Sequence, residues 1–319
     1  MEVAEAQHAA GGPHLQGAQP SDELARNVYR SPRELLIEYA LGFCALISIL
    51  TTLGIAAVLL FESANFFAEV SIIDFLTQTE WTPQFSEKSY GIWPLLSGTM
   101  LVTVIAALVA IPIGLMSAIF IAEYAPDGAR RVLKPGLELL AGIPTVVYGY
   151  FALTFVTPTL QPIIPGLKIY NALSAGLVVG VMIVPMVASL SEDAIRAVPR
   201  SLAEGAYALG ATKIEVVLHV LVPGAISGIM ASFILALSRA IGETMIVTLA
   251  AGATAKLTAD PTDSIMTMTA YIVNVSLGDT PQGTIVYYSI FAVGLVLFLI
   301  TLAMNFLANA IIHRYQERY

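Results

Sequence analysis

The stretch Ala203-Glu204-Gly205-Ala206-Tyr207-Ala208-Leu209-Gly210, which runs on through Thr212 and Glu215 to Pro223, is a polar interval between two long apolar runs. Ser201 followed three residues later by Glu204 has the spacing of a capping box, in which each side chain satisfies a backbone N–H at the other's position. That spacing predicts a short helix. Gly210 then stops it, because glycine enters the left-handed conformation without a Cβ penalty. Thr212 and Glu215 repeat the capping-box spacing and predict a second helix, which runs to Pro223 and into the next apolar run. A short helix, a sharp turn and a second helix feeding a hydrophobic span make a rigid projection on a polytopic membrane protein.

The interval resembles the EAA loop of ABC-importer permeases, whose pattern is Glu-Ala-Ala, three residues, Gly, nine residues and Ile-x-Leu-Pro. Glu204, Ala206, Gly210 and Pro223 fit that pattern in register. Gly205 replaces the middle Ala, Val220 the Ile and Val222 the Leu, all changes of size rather than chemistry. The resemblance implies a coupling helix that docks in a groove on an ATPase subunit, with Glu204, Gly205, Ala206 and Gly210 as its coupling residues within a cytoplasmic loop over 192–223.

Composition agrees with a membrane protein. Of the 319 residues 57% are hydrophobic and 12% charged, about half the charge of a typical soluble domain. A net charge of -8 excludes a general nucleic-acid binder, which needs basic surface to neutralise phosphates. The single cysteine, Cys44, lies inside an apolar run and reads as a small core hydrophobe. There is no Gly-x4-Gly-Lys-Ser/Thr phosphate loop, no His-Glu-x-x-His and no Cys-x-x-Cys. If ATP drives this protein, another chain binds it.

Residues 1–34 are rich in Ala, Gly, Gln and Pro without hydrophobic period and read as a disordered cytoplasmic tail, in which His8 and His14 have poor metal-ligand spacing. Six apolar runs follow, at about 40–61, 97–121, 138–156, 172–190, 226–251 and 286–310, each long enough to cross a bilayer. The transmembrane domain therefore spans 35–319, and the fold class is all-α with six transmembrane helices. The first run is too long, and has too much chain before it, for a cleaved signal peptide. Lys and Arg set the orientation. Eleven lie in the tail, the 126–137 loop, the Glu204 loop and the C-terminal segment; Lys88, Lys168 and Lys256 lie on the other side. Both termini and the Glu204 loop are expected in the cytoplasm. Pro112, Pro144 and Pro185 fall inside the second, third and fourth spans, predicting three broken helices of the kind that line a cavity. Ile265, Met268, Ile272 and Val275 recur at helical steps, predicting a short amphipathic helix on the outer face.

One basic residue lies within the apolar runs. Arg239, thirteen residues into the fifth span, costs about 2.5–3.5 kcal/mol at mid-bilayer, so it faces protein interior or a wet cavity. Glu243, one turn on, shares its helix face. The pair reads either as an ion pair that locks helices together or as an anion site, since the planar guanidinium matches phosphate or carboxylate oxygens. In the anion reading Glu243 keeps Arg239 from holding its ligand too tightly. A second candidate is Gly142-Ile143-Pro144-Thr145-Val146-Val147-Tyr148, where Pro144 breaks and restarts the helix, and Thr145 and Tyr148 add hydroxyl donors. The alternative there is a simple kink with hydroxyls bonded to the preceding turn.

Gly91-Ile92-Trp93-Pro94-Leu95-Leu96-Ser97-Gly98-Thr99, Glu138 through Gly149, and Ser238-Arg239-Ala240-Ile241-Gly242-Glu243-Thr244-Met245 resemble the PstC family of phosphate transport permeases, more than the sister PstA family. The likeness covers about 35–315. It implies a type I ABC importer permease fold in the bacterial cytoplasmic membrane, a PstA-like permease partner, a PstB-like ATPase dimer and a PstS-like phosphate-binding protein outside. It also implies phosphate as cargo, alternating access as mechanism, and no chemistry or cofactor on this chain, ATP and Mg being bound by the ATPase. The competing class is a secondary anion transporter with Glu243 as carrier of a coupling proton.

Overall fold

The structure, a computed structural model, describes residues 32–315 apart from Gln84 and Ser86. The expected disordered tail, except its last residues, lies outside the described residues, as do His8 and His14. The chain divides into two compact units, up to Ala56 and from Ala57 onward. The described part of the first unit is helical and belongs to α1 (Pro32–Glu69); Cys44 is exposed there rather than in a core.

In the second unit, α1 ends against a small folded cap. Here α2 (Ile72–Thr77) starts where the Ser71 hydroxyl accepts the Ile73 N–H. Trp81 pairs with Tyr90 in an isolated antiparallel bridge, and no longer strand forms among the described residues. Phe66, Phe75, Trp81 and Tyr90 meet edge to face at 5.3–6.3 Å, so a segment read as polar loop owes its order to aromatic packing.

Next come α3 (Trp93–Ile119), which continues as a π-helical turn to Tyr124, and α4 (Asp127–Ala141). After α5 (Thr145–Phe151), a second π turn and α6 (Thr157–Leu160), the chain enters the long α7 (Ala172–Ala197). Two residues then separate α7 from α8 (Arg200–Ala208). A second irregular helical stretch follows, made of α9 (Lys213–Val216), a π turn over Val217–Leu221 and α10 (Val222–Gly224). It leads into α11 (Ile226–Ile241), α12 (Met245–Ala250), α13 (Met268–Leu277) and α14 (Ile285–Tyr315).

Contacts between α3 and α7 give their relative direction. A Cβ added to Gly176 would meet Ile105, one on Gly180 would meet Val109, and one on Gly114 would meet Val187, all at 2.6–2.9 Å. The partner numbers rise together, so the two helices are parallel and closely packed on small residues. The intervening chain must therefore return across the same layer, and α4 to α6 does so. By contrast, Gly228 lies against Ala194, Ser232 Oγ is 2.7 Å from Ser191 Oγ, and Arg239 reaches Met182, so α11 runs antiparallel to α7.

Four helices or stretches are long and apolar enough to cross a membrane, and two bent pairs raise the number to six among the described residues. The expected runs are thus present, but their breaks differ from expectation. The third bends by 85° between α4 and α5, so Glu138 belongs to a strongly amphipathic helix rather than to the start of a span. The fifth bends by 71° at Ala225, between the 213–224 stretch and α11, and, read as continuous over 226–251, also breaks at 242–244. Pro112 and Pro185 sit inside unbroken α3 and α7, each helix tolerating one lost N–H.

Helix α13, expected as a short amphipathic helix, turns its apolar positions into the protein. Met268 and Val275 are buried, and Ile265 is buried ahead of its first turn, because they face the aromatic cap and the core rather than water. The loop before it folds over the start of α7. Carbonyls of Pro261 and Asp263 accept the N–H groups of Leu173 and Ala172, and the Asp263 carboxylate is bonded by both Lys168 and Lys256.

Candidate functional site

One cavity opens at the first helix break and takes in the last turn of α11, just ahead of the second. A space of about 410 Å³ is lined by Glu138 from α4, Thr145 from the start of α5, Met182 and Ser189 from α7, and Arg239 from α11. Arg239 occupies the last turn of α11, with its side chain 45% exposed, and is the one cation among the described lining residues. Its Nη1 donates to Glu243 Oε2 at 2.7 Å and its Nη2 lies 3.8 Å from the Met182 sulfur.

Glu243 is only 2% exposed because it serves both sides of the break. While Oε2 accepts from Arg239, Oε1 accepts the N–H groups of Met245 and Ile246 at 3.1 and 3.3 Å. A carboxylate at the opening of a helix satisfies orphan donors there. Both oxygens are therefore engaged, and Glu243 holds the guanidinium by the cavity wall while restarting the helix as α12. The backbone carbonyl of Glu243 in turn accepts the Thr269 hydroxyl at 2.6 Å, which pins the break to α13.

Thr145 and Tyr148 separate in role. Thr145 lines the cavity, whereas the buried Tyr148 hydroxyl donates to the Leu140 carbonyl at 2.8 Å and is not offered to the cavity. Leu140 is four residues before Pro144, which has no N–H to give its carbonyl; the Ile143 N–H reaches the same carbonyl at 3.3 Å. Sequence reasoning missed Glu138 and Ser189. The signal for Glu138 was available: an acidic residue inside a supposed span on the period of Arg131 and Lys134 marks the polar face of an amphipathic helix.

The interval around Glu204 is built as two short helices, with one change. The predicted Ser201–Glu204 box does not form: Pro199 occupies the N-cap, and Ser201, already inside the first turn of α8, lies past the position from which its hydroxyl could cap the helix. The stop at Gly210 forms as expected. Its φ is +88°, and N–H groups of Gly210 and Ala211 bond to the carbonyls of Tyr207 and Ala206 at 2.9 and 3.1 Å, the Schellman pattern. Glu215 reaches back to the Thr212 N–H and hydroxyl, both at 2.7 Å. Helix α8 buries no residue. Glu204 and Gly205 are exposed, Ala206 leans on the core, and Leu209 beside Gly210 is 91% exposed, a projecting apolar tip.

Residues 110–317 match the family model described as "Binding-protein-dependent transport system inner membrane component". A Bacillus subtilis (strain 168) protein named probable ABC transporter permease protein YqgH is 38% identical over 272 residues, covering 83% of this chain and 88% of that protein. A Mesorhizobium japonicum protein named phosphate transport system permease protein PstC is 34% identical over 304 residues, covering 88% of this chain and 91% of its own length. Among solved structures, a bacterial ABC transporter involved in import of the acidic polysaccharide alginate superposes with a TM-score of 0.64 at 18% identity, covering 89% of this chain and 99% of that one; the likeness is one of fold.

Proposed function

Because this chain belongs to the family of binding-protein-dependent transport system inner membrane components, with the type I ABC importer permease fold and several spans in the cytoplasmic membrane, we propose that it forms half of the pathway of an ATP-driven phosphate importer. The PstC resemblance seen in the motifs is borne out by the relatives, and their names support phosphate as cargo. The observation that carries the reading is Arg239: a half-exposed guanidinium held by a buried carboxylate at the wall of a cavity that Thr145 also lines. A planar donor fork of that kind binds tetrahedral oxyanions through paired hydrogen bonds, and Glu243, already in contact with it, offsets part of its charge so that release stays fast.

The Lys and Arg distribution supports cytoplasmic termini and a cytoplasmic α8. That helix, with Glu204, Gly205, Ala206 and Gly210 at its end, then docks on a PstB-like ATPase dimer, which binds ATP and Mg; this chain makes no covalent bond. A PstA-like permease completes the pathway and a PstS-like protein delivers phosphate from outside. Closure of the ATPases moves α8, and the breaks at 142–144 and 242–244 let the cavity change sides by alternating access.

The test is ATPase activity of the complex that co-purifies with this chain, with phosphate-loaded binding protein added, in wild type and Arg239→Ala. Stimulation in the wild type that the mutant lacks is expected. Equal stimulation in both removes Arg239 from the coupled pathway. No co-purifying ATPase overturns the ATP-driven reading.

A further inference from the structure

A second charged cluster lies away from Arg239 and outside the roles assigned above. Glu192, near the end of α7, is 1% exposed. Its Oε1 accepts from Arg130 Nη2 at 2.7 Å and its Oε2 from Lys134 Nζ at 2.8 Å, both on α4, with Arg196 Nη1 at 3.7 Å. Lys134 also bonds the exposed Asp193 at 2.8 Å. Burying a carboxylate is costly unless it is paired, and three cations converge on this one.

What this cluster holds is a helix with little else to hold it. No residue of α4 is buried, and Val132 and Leu139 on its apolar face are 72% and 76% exposed. Apolar packing therefore does not fix α4 to α7; the ion pairs from Arg130 and Lys134 do. One turn beyond Lys134, the same helix supplies Glu138 to the cavity that contains Arg239. At the other end of the connection, Glu192 is five residues before the end of α7, and only Val198 and Pro199 separate α7 from α8.

We propose that Glu192 is a positioning residue that ties the α4 wall of the anion cavity to the stem of α8, so that a displacement of α8 is carried into the cavity. This rests on the reading of α8 as the ATPase-docking helix. Charge pairs suit the task because they act along a fixed direction between two helices, whereas an unburied helix without them slides independently. The chain of contact runs from α8 through the end of α7 and Glu192 to Arg130 and Lys134, and along α4 to Glu138.

The complete transporter, reconstituted in vesicles with phosphate-loaded binding protein, tests it. Phosphate taken up per ATP hydrolysed is measured in wild type and Glu192→Gln, and spin labels at Val132→Cys and Val181→Cys in a Cys44→Ser background report the α4–α7 distance with and without ADP·vanadate. Wild type is expected to keep one distance in both states. Glu192→Gln is expected to lower the uptake ratio by about tenfold, within the range for a residue between coupled sites, and to let the distance change with nucleotide. A merely structural role lowers the amount of complex but leaves both readouts unmoved in what assembles, and that result overturns the proposal. Should Glu192→Gln fail to assemble, Lys134→Gln, on the exposed α4, decides: a smaller fall in the same ratio supports the tether and an unchanged ratio overturns it. If the wild type shows no phosphate-stimulated hydrolysis, the importer reading fails first, and is thereby distinguished from failure of the tether.

Discussion

Glu243→Gln separates the two tasks of the buried carboxylate. The amide oxygen can still accept the N–H groups of Met245 and Ile246, so α12 keeps its start. The amide nitrogen, however, presents donors to Arg239, which has five donors and no acceptor. The variant loses the 2.7 Å charge-assisted bond, of a class that contributes about 1.5–3 kcal/mol. Because the Arg239 side chain is 45% exposed, solvent screens part of that, and the lower end, about 1.5 kcal/mol, is the working figure. That energy becomes available to an incoming anion, and it corresponds to about tenfold in affinity. Equilibrium phosphate binding to the purified complex without binding protein is therefore expected to tighten about tenfold, while turnover falls because release slows. Raising salt should narrow the difference between variant and wild type, as screening weakens the freed guanidinium's attraction. Glu243→Ala serves as the comparison: it removes the helix start as well, at a further cost of about 1 kcal/mol, and should unfold at lower temperature. Unchanged or weaker phosphate binding in a well-folded Glu243→Gln would refute the reasoning, and would leave Arg239–Glu243 as a lock between helices.

Gly210→Val meets no atom within 4 Å but must keep φ at +88°, a strain of about 1–2 kcal/mol for a side chain with a Cβ; insertion is expected to persist while phosphate moved per ATP falls several-fold. Gly180→Val puts a Cβ 2.9 Å from Val109 Cβ and 3.0 Å from the Ala106 carbonyl, so α3 and α7 must part, and the thermal midpoint of the complex is expected to drop by an amount equivalent to about 1–3 kcal/mol. At the loop over α7, hydrogen bonds from Lys168 and then Lys256 hold the Asp263 carboxyl far below 3.8, and Asp263 raises Lys256 above 10.5. A lowered carboxylate keeps its contribution until pH falls through the lowered value, and a raised lysine keeps its own until pH rises through the raised one. Protease sensitivity of the 253–267 loop is thus expected to stay flat from about pH 5 to 9 yet rise with salt, since both lysines are exposed; Asp263→Asn should abolish the salt response.

How much of this was legible depends on whether the deciding partner is near in sequence. The Gly210 stop and the Thr212–Glu215 contact are local, and both were readable. So was the break at Pro144, where local chemistry also shows why this proline breaks its helix and the other two do not. Each proline withholds an N–H from the carbonyl four residues earlier; at Leu140 the Tyr148 hydroxyl, from the restarted helix, joins the Ile143 N–H on that carbonyl at 2.8 Å and stabilises the bent arrangement. Pro112 and Pro185 have no such hydroxyl four residues on, where Met116 and Ser189 stand, and methionine has no O–H while a serine side chain is too short for the same reach. The break at Gly242 needs no proline, because Glu243 reaches forward to two N–H groups, and a glycine followed by a carboxylate was the sign to look for. Glu192 had no local sign of its importance. Its partners on α4 are 58 and 62 residues away, and they matter because α4, bent by 85° from the following span, buries nothing of its own. Periodicity shows that a helix is amphipathic, but not that its neighbours leave it unburied; only packing reveals that a few charge pairs carry the connection.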